Sequence, residues 1–336
     1  MTRKTHKTNN KPVIQSEPIS RLVDMLQYKR PANTPIIGWF IETYIAPICD
    51  DFGGYYDEAQ NYVVRIGDNS RVLWSSHTDT VHNNAGTQRL KISGDRITSI
   101  NESCLGADDT TGIWLMLEMI QAGVHGLYIF HADEEIGGVG SAYFANHYAY
   151  LLQGIDYAIA FDRKGKDSII THQSSGRCCS NAFADSLALC LPAGYKTDSS
   201  GTFTDTANYT HLIGECTNVS VGYFDQHTSK ESQSISHAMA LRESMLAFDE
   251  SKLVFERKAG TIDPDDYLAF DDSYYSKRYG SGLSYYASGK HYSSYGYDDE
   301  SYSSLFDYVR SNPDEITDLL ESLGYDLPYF NKAYKA

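Results

Sequence analysis

The sequence predicts a three-layer α/β/α sandwich built on a mixed, mostly parallel central sheet. Three observations carry that expectation. Strand-like and helix-like runs alternate between residues 18 and 258. The helical runs are long enough to serve as crossovers, so successive strands can run parallel with both sheet faces covered. Beyond residue 258 the composition changes abruptly, which marks where the globular part ends.

Taken in order, RLVDMLQY opens the ordered part near Ser20 with helical spacing. PIIGWFIETYIAPI reads as the next helix. NYVVRIG and RVLWSSHT read as strands, and TTGIWLMLEMIQ as a helix. LYIFHA, YAIAFD, SIITHQ and NVSVGYF are the remaining strand-like runs. SAYFANHYAYLLQ, SNAFADSLALCL and the long SISHAMALRESMLAFDESKLVF, which carries His237, read as helices covering the sheet. Residues 1–17 are polar and basic with almost nothing to bury, which predicts a disordered arm. Residues 259–303 hold ten of the chain's 27 tyrosines among Ser, Gly and Asp, with little Leu, Ile or Val. Such a stretch buries too little aliphatic surface to offset chain entropy and reads as a flexible linker. Residues 304–336 read as a short helical segment: Asn312-Pro313 starts a helix, Ile316, Leu319, Leu320 and Leu323 form its apolar face, and Gly324 and Pro328 stop it. This C-terminal tail is a candidate contact for a protein partner.

The chain has 336 residues, of which 28 are basic and 44 acidic, for a net charge of −16. That balance argues against nucleic acid and against anionic membranes as partners. No apolar run approaches the roughly 20 residues that span a bilayer, and the basic N-terminus has no apolar stretch behind it. Six cysteines are spread thinly and form no CxxC pair. Reduced thiols and a cytoplasmic location follow as expectations.

In an α/β sheet of this kind, ligands sit beyond the carboxyl ends of the strands. The residues found there are unusual as a set. RVLWSS is followed by His77-Thr78-Asp79, LYIFHA by Asp133-Glu134-Glu135, YAIAF by Asp162 and NVSVGYF by Asp225-Gln226-His227. SCLGADDTTG places Asp108 and Asp109 at a helix start. Each alone is ordinary: an Asp before a helix is usually an N-cap, and paired glutamates are usually solvated. Together they would repel one another in a crevice unless a cation removed the cost. Two imidazoles and several carboxylates suit zinc, which takes N and O ligands at about 2.0–2.2 Å. The surplus of ligands over one tetrahedral ion points to two ions, roughly 3.5–4 Å apart and bridged by a carboxylate. Cobalt or manganese also fit such N/O donors. Asp79, two residues after His77, is placed to orient that ring. One of the two glutamates can bind metal while the other stays free as a base.

His-x-Asp, Gly-Ala-Asp-Asp, Asp-Glu-Glu, Asp and His, in that order, resemble the co-catalytic zinc exopeptidases of clan MH, which include peptidase T, the carboxypeptidase G type and the single-domain dizinc aminopeptidases. The likeness covers roughly residues 35–250. It implies the zinc-exopeptidase (phosphorylase/hydrolase-like) fold and assigns roles by position. Asp108 bridges two zinc ions, His77 and Asp162 complete one site, and Glu135 and His227 complete the other. Glu134 is the general base, Asp79 orients His77, and the Asp108–Asp109 peptide is cis. Many two-domain members insert a lid of about a hundred residues before the last histidine. Here only 227 − 162 = 65 positions separate Asp162 from His227, and they are already filled by sheet and helix signals, so no lid domain is expected. Arg163, Arg177 and the Ser199–Thr204 loop remain candidates for substrate contact. His82, His131 and His172 are left outside the metal ligands.

The expected activity is that of a zinc-dependent aminopeptidase acting on a peptide. An amidohydrolase or deacylase cutting an N-acyl amino acid shares the same motifs. A catalytically silent binding or assembly protein on the same fold is the reading from another class. The retention of all five candidate ligands and Glu134 argues against that last reading.

Overall fold

The computed structural model describes residues 18–100, 103–173 and 176–262. These residues belong to the first of two compact units, Met1–Tyr274. The arm expected at 1–17, the linker beyond residue 262 and the helical segment at 304–336 lie outside the described residues.

Eight strands form the central sheet: β1 Tyr55–Tyr56, β2 Tyr62–Ile66, β3 Val72–His77, β4 Gly126–His131, β5 Tyr157–Arg163, β6 Ser168–Ile170, β7 Lys196–Asp198 and β8 Glu215–Ser220. Their spatial order is β7-β6-β8-β5-β3-β4-β2-β1. The inner four, β8, β5, β3 and β4, are mutually parallel. Antiparallel pairing of β6 with β8 and of β2 with β4 makes the sheet mixed. The inner strands therefore deliver their carboxyl ends to one edge, and His77 lies beside His131 in the β3–β4 register. A small second sheet joins Leu90–Ser93, Arg96–Ser99, Ser232–Ser234 and Tyr223–Phe224.

Side chains alternate across the pleat. Val72 and Trp74 of β3, Tyr128 and Phe130 of β4 and Ile159 and Phe161 of β5 face one core. Leu73, Leu127, Ile129 and Ala158 face the other. The first core is closed by α1 (Pro18–Met25), α2 (Pro35–Phe40), α3 (Ala107–Gln121), α5 (Asn181–Ala188) and α6 (Ile235–Leu246), through residues such as Leu22, Phe40, Trp114, Phe183 and Leu241. The second is closed by α4 (Val139–His147) through Phe144 and Ala145, with Leu152, Tyr209 and Ile213. Three layers result.

Helix α3 is buried on every side from Ala107 to Ile120, in keeping with its nearly unbroken apolar sequence. Its one charge beyond the first turn, Glu118, accepts from Arg21 of α1 at 2.9 Å and from Arg242 of α6 at 2.7 Å.

Three helices depart from the sequence reading. PIIGWFIETYIAPI runs from α2 through a π-helical turn, Ile41–Ile45, into Ala46–Cys49. Pro47 has no N–H to offer the ladder there. SAYFANHYAYLLQ breaks at Tyr148 and resumes as a 3₁₀ turn, Ala149–Leu152. The long C-terminal helix stops at Leu246. The side chain of Asp249, itself extended at φ −125, then accepts from the Ser251 N–H and starts a separate turn.

Among the described residues, no second domain interrupts the chain between Asp162 and His227. Among the described residues, no helix is long and apolar enough to cross a membrane. All six cysteines are free and buried.

Candidate metal centre

The sheet brings five elements to one edge. His77 ends β3, Asp162 stands near the end of β5, and Glu134 and Glu135 lie in the turn after β4. Asp108 opens α3, and His227 lies in the loop after Tyr223–Phe224. Asp108, Glu134, Glu135, Asp162 and His227 line one cleft with Arg163, Phe203, Tyr223 and Gln226 among its other walls.

Asp108 is at the centre. Its Oδ1 lies 3.0 Å from His77 Nε2, and its Oδ2 lies 3.1 Å from His227 Nε2. Asp162 Oδ1 is 3.6 Å from His77 Nε2, and Glu135 Oε1 is 3.1 Å from His227 Nε2. Two groups capable of holding an ion result, His77–Asp108–Asp162 and Asp108–Glu135–His227, and they share Asp108. A third, His77–Glu134–Glu135, overlaps them. The donors suit divalent metal on two counts. Ligand atoms of a tetrahedral ion at about 2.0–2.1 Å stand about 3.3 Å apart, close to the separations here. Each imidazole Nε2 also faces two carboxylate oxygens, whereas a neutral ring has one proton to give. Lone pairs converging on a cation relieve that conflict.

Electrostatics point the same way. Burial, with the charges of Asp162, Asp205 and Glu135 added, pushes the Glu134 carboxyl well above the usual range. Burial and the nearby Asp108 charge push Glu135 up to about 7. Hydrogen bonds to Asp108 and Glu135 raise His227 to about 11. Burial opposes charge on His77, yet its bonds to Asp108, Asp162 and Asp79 raise it well above its ordinary value. With protein groups alone, protons on imidazole supply the positive charge that these carboxylates demand.

A dense hydrogen-bond lattice holds these side chains. Asp79 Oδ1 lies 3.3 Å from His77 Nδ1. The same carboxylate accepts the backbone N–H of Glu134 at 3.0 Å and of Glu135 at 3.1 Å. Asp79 thus binds the β3 end to the glutamate turn. Asp109, the second residue of the Asp-Asp pair, is buried and turned inward rather than acting only as a cap. It accepts from the backbone N–H groups of His77 at 3.1 Å and Gly112 at 3.0 Å. No side chain fits at Gly112, where a Cβ would lie 2.4 Å from Asp109 Oδ1 and from the Phe161 carbonyl oxygen. The Asp108–Asp109 peptide is cis. Asp162 accepts from Tyr223 Oη at 3.0 Å and Thr204 Oγ1 at 2.7 Å. The Asn218 side chain brackets its backbone, donating to Asp162 O at 2.8 Å and accepting from Asp162 N at 2.9 Å, beside a register shift between β8 and β5.

The other sequence candidates resolve as follows. Arg163 is on the cleft wall, but its guanidinium donates to Asp198 at 3.3 Å and to Ser200 Oγ at 2.9 Å. The Ser199–Thr204 loop supplies Gly201, Thr202 and Phe203 to the cleft. Arg177 does not line it and bonds Cys179 O and Asn181. His131 is fully buried near Tyr209, and His82 is buried between Thr80 and the Cys104 carbonyl. Burial lowers them to about 3 and about 4 respectively. His172 lies in a short hairpin, paired opposite Arg177. Reading the sequence missed Arg30, Asp205, Tyr223 and Glu231, none of which is itself part of a ligand motif.

No family model and no curated protein matches the sequence significantly. Solved structures do match. An aminopeptidase PepT from Bacillus cereus aligns with 70% of this chain and 98% of its own at 13% identity, with a TM-score of 0.58. The TET1 peptidase of Pyrococcus horikoshii, which assembles into a tetrahedron or a large octahedral shell, aligns with 69% of this chain and 100% of its own at 16% identity and a TM-score of 0.56. A tripeptidase from Staphylococcus aureus aligns with 70% and 97% at 14% identity, with a TM-score of 0.55. The chain shares its fold with these peptidases. At such identities the likeness speaks for the fold, and the chemistry must be argued from the cleft.

Proposed function

We propose that this chain is a two-metal exopeptidase, most simply a zinc aminopeptidase of the clan its motifs resemble. The observation that carries the proposal is the division of Asp108, one oxygen toward His77 and the other toward His227. A carboxylate shared in this way between two donor groups fits a bridging ligand. His77 and Asp162 would hold one ion, and Glu135 and His227 the other. Their N/O character suits zinc and also accepts cobalt or manganese. The fold shared with peptidases supports the same reading.

Two bound divalent cations supply Lewis-acid charge that acidifies water and polarises a carbonyl. Glu134 has the free carboxylate. It takes a proton from the attacking water and returns it to the departing amine of the peptide. Its placement depends on Asp79, which fixes the backbone on which both glutamates stand. Phe203, Ile170 and Tyr223 give the cleft apolar wall against which a substrate side chain can pack. The six free, buried thiols support the cytoplasm as the working compartment.

The test is direct. The purified full chain loaded with zinc should hydrolyse an amino-acid anilide or a dipeptide with a free α-amine. EDTA should abolish the activity and added zinc restore it. Turnover that survives complete metal removal contradicts the proposal, and so does cleavage of N-acyl amino acids without cleavage of peptides.

A further inference from the structure

Glu231 is 2% exposed and stands four positions after His227. Four consecutive backbone N–H groups donate to its carboxylate. Leu105 and Gly106 reach Oε2 at 2.8 and 3.0 Å, and Ala107 and Asp108 reach Oε1 at 2.8 and 3.2 Å. The chain must curl tightly to aim four successive donors at one group. Gly106 permits it at φ 73, where a Cβ would stand 2.9 Å from the His82 ring. The last donor is Asp108 itself.

The other end of the link is equally fixed. The Glu231 N–H donates to the Thr228 carbonyl at 3.1 Å, and Thr228 Oγ1 donates to the Asp225 carbonyl at 2.6 Å. Asp225 and His227 both hold left-handed backbone, at φ 53 and 64. His227 and Glu231 therefore share one short, internally bonded loop. Charge-assisted bonds of this kind are among the stronger ones available to a buried carboxylate.

We propose that Glu231 is a positioning residue that sets the Asp108–His227 separation and thereby the affinity of the Asp108–Glu135–His227 group for its cation. The inference rests on the two-metal reading and deepens it. The companion group has supports of its own: Asp79 and Asp109 on His77, and Tyr223 and Thr204 on Asp162. Loss of Glu231 therefore acts most on the group that holds both Asp108 and His227, and less on the group that shares only Asp108 with it.

The metal-loaded full chain is challenged with graded chelator and the ions retained are counted, for the wild type, Glu231→Gln and Glu231→Asp. Thermal unfolding and near-ultraviolet circular dichroism are followed in parallel. Glu231→Gln keeps the shape but replaces one acceptor oxygen with a donor facing other donors. It should release one ion at roughly 10–100-fold lower chelator strength, with a clearly smaller shift for the second, which shares only Asp108. Glu231→Asp keeps the charge on a shorter arm and should fall between. Folded Glu231→Gln that retains both ions like the wild type overturns the proposal. Failure of both variants to fold also overturns it, since the carboxylate would then serve the fold alone. A wild type that binds no ion sinks the two-metal reading and this inference with it.

Discussion

Asp79 and His77 meet at 3.3 Å, Oδ1 to Nδ1, while Nε2 of the same ring faces Asp108. The imidazole is thus held from one side and presented from the other. Because Asp79 also accepts the N–H groups of Glu134 and Glu135, its loss loosens two parts of the cleft at once. Asp79→Asn should lower metal affinity or turnover about 10–100-fold. Zinc competition with a chelator, run beside kcat, checks this. Wild-type values in both would remove Asp79 from the site.

In the proposed reaction Glu134 serves as a proton path rather than a ligand. Glu134→Gln keeps its volume and removes its basicity, so kcat should fall roughly 10²–10⁴-fold. The variant should retain two ions by elemental analysis. Near-normal turnover would assign the base elsewhere.

Arg30 is fully buried and connects the strand carrying His77 to the helix carrying Asp108. Its Nε donates to the Thr78 carbonyl at 2.7 Å and its Nη2 to Thr110 Oγ1 at 2.8 Å, under the Phe40 ring. Arg30→Met keeps the packing of the stem and leaves those acceptors unmet. It should cost about 3 kcal/mol of stability, read as a lower urea midpoint at unchanged slope. A change under about 0.5 kcal/mol, the scale of an ordinary surface substitution, would show that the bonds contribute little.

Away from the cleft, His237 of α6 is buried against Tyr195, its Nε2 2.9 Å from the phenol oxygen. Burial lowers its pKa from 6.5 to about 4, with Lys166 adding to the effect and Asp95 and Asp167 opposing it. The folded state thus prefers the neutral ring. Its contribution is complete above pH 6.5 and is lost as the pH falls toward 4. Stability should drop by about 3 kcal/mol across that window from this group. Unfolding free energies of the wild type and His237→Phe measured from pH 7 to 4 check it. The variant should show the shallower decline, and equal slopes would contradict the assignment.

Much of the cleft was legible in the chain because parallel strands deliver their ends to one edge. His77, Glu135 and Asp162 follow apolar runs whose pairing is dictated by burial, so their convergence follows from the sheet. His227 lies past Tyr223–Phe224, which belong to the small second sheet, so the central sheet alone does not bring it to the cleft. Glu231 was not legible. Within the polar stretch TSKESQS it looks like a solvated charge, and only the folded chain brings it to residues more than a hundred positions earlier. Arg30 and Asp109 were obscured in the same way. Most of their partners are backbone groups, which every sequence has and no pattern marks. The helices that ended early did so at local conformations, Tyr148 and Ala247, that carry no strong stop signal.

The two-metal proposal puts one cation on each side of Asp108. Anomalous scattering from crystals of the zinc-loaded protein, recorded on both sides of the zinc edge, tests it most directly. Two peaks roughly 3.5–4 Å apart are predicted, one between His77 and Asp162 and one between Glu135 and His227, with an Asp108 oxygen on each. No peak in the cleft, or peaks that Asp108 does not touch, would contradict the account.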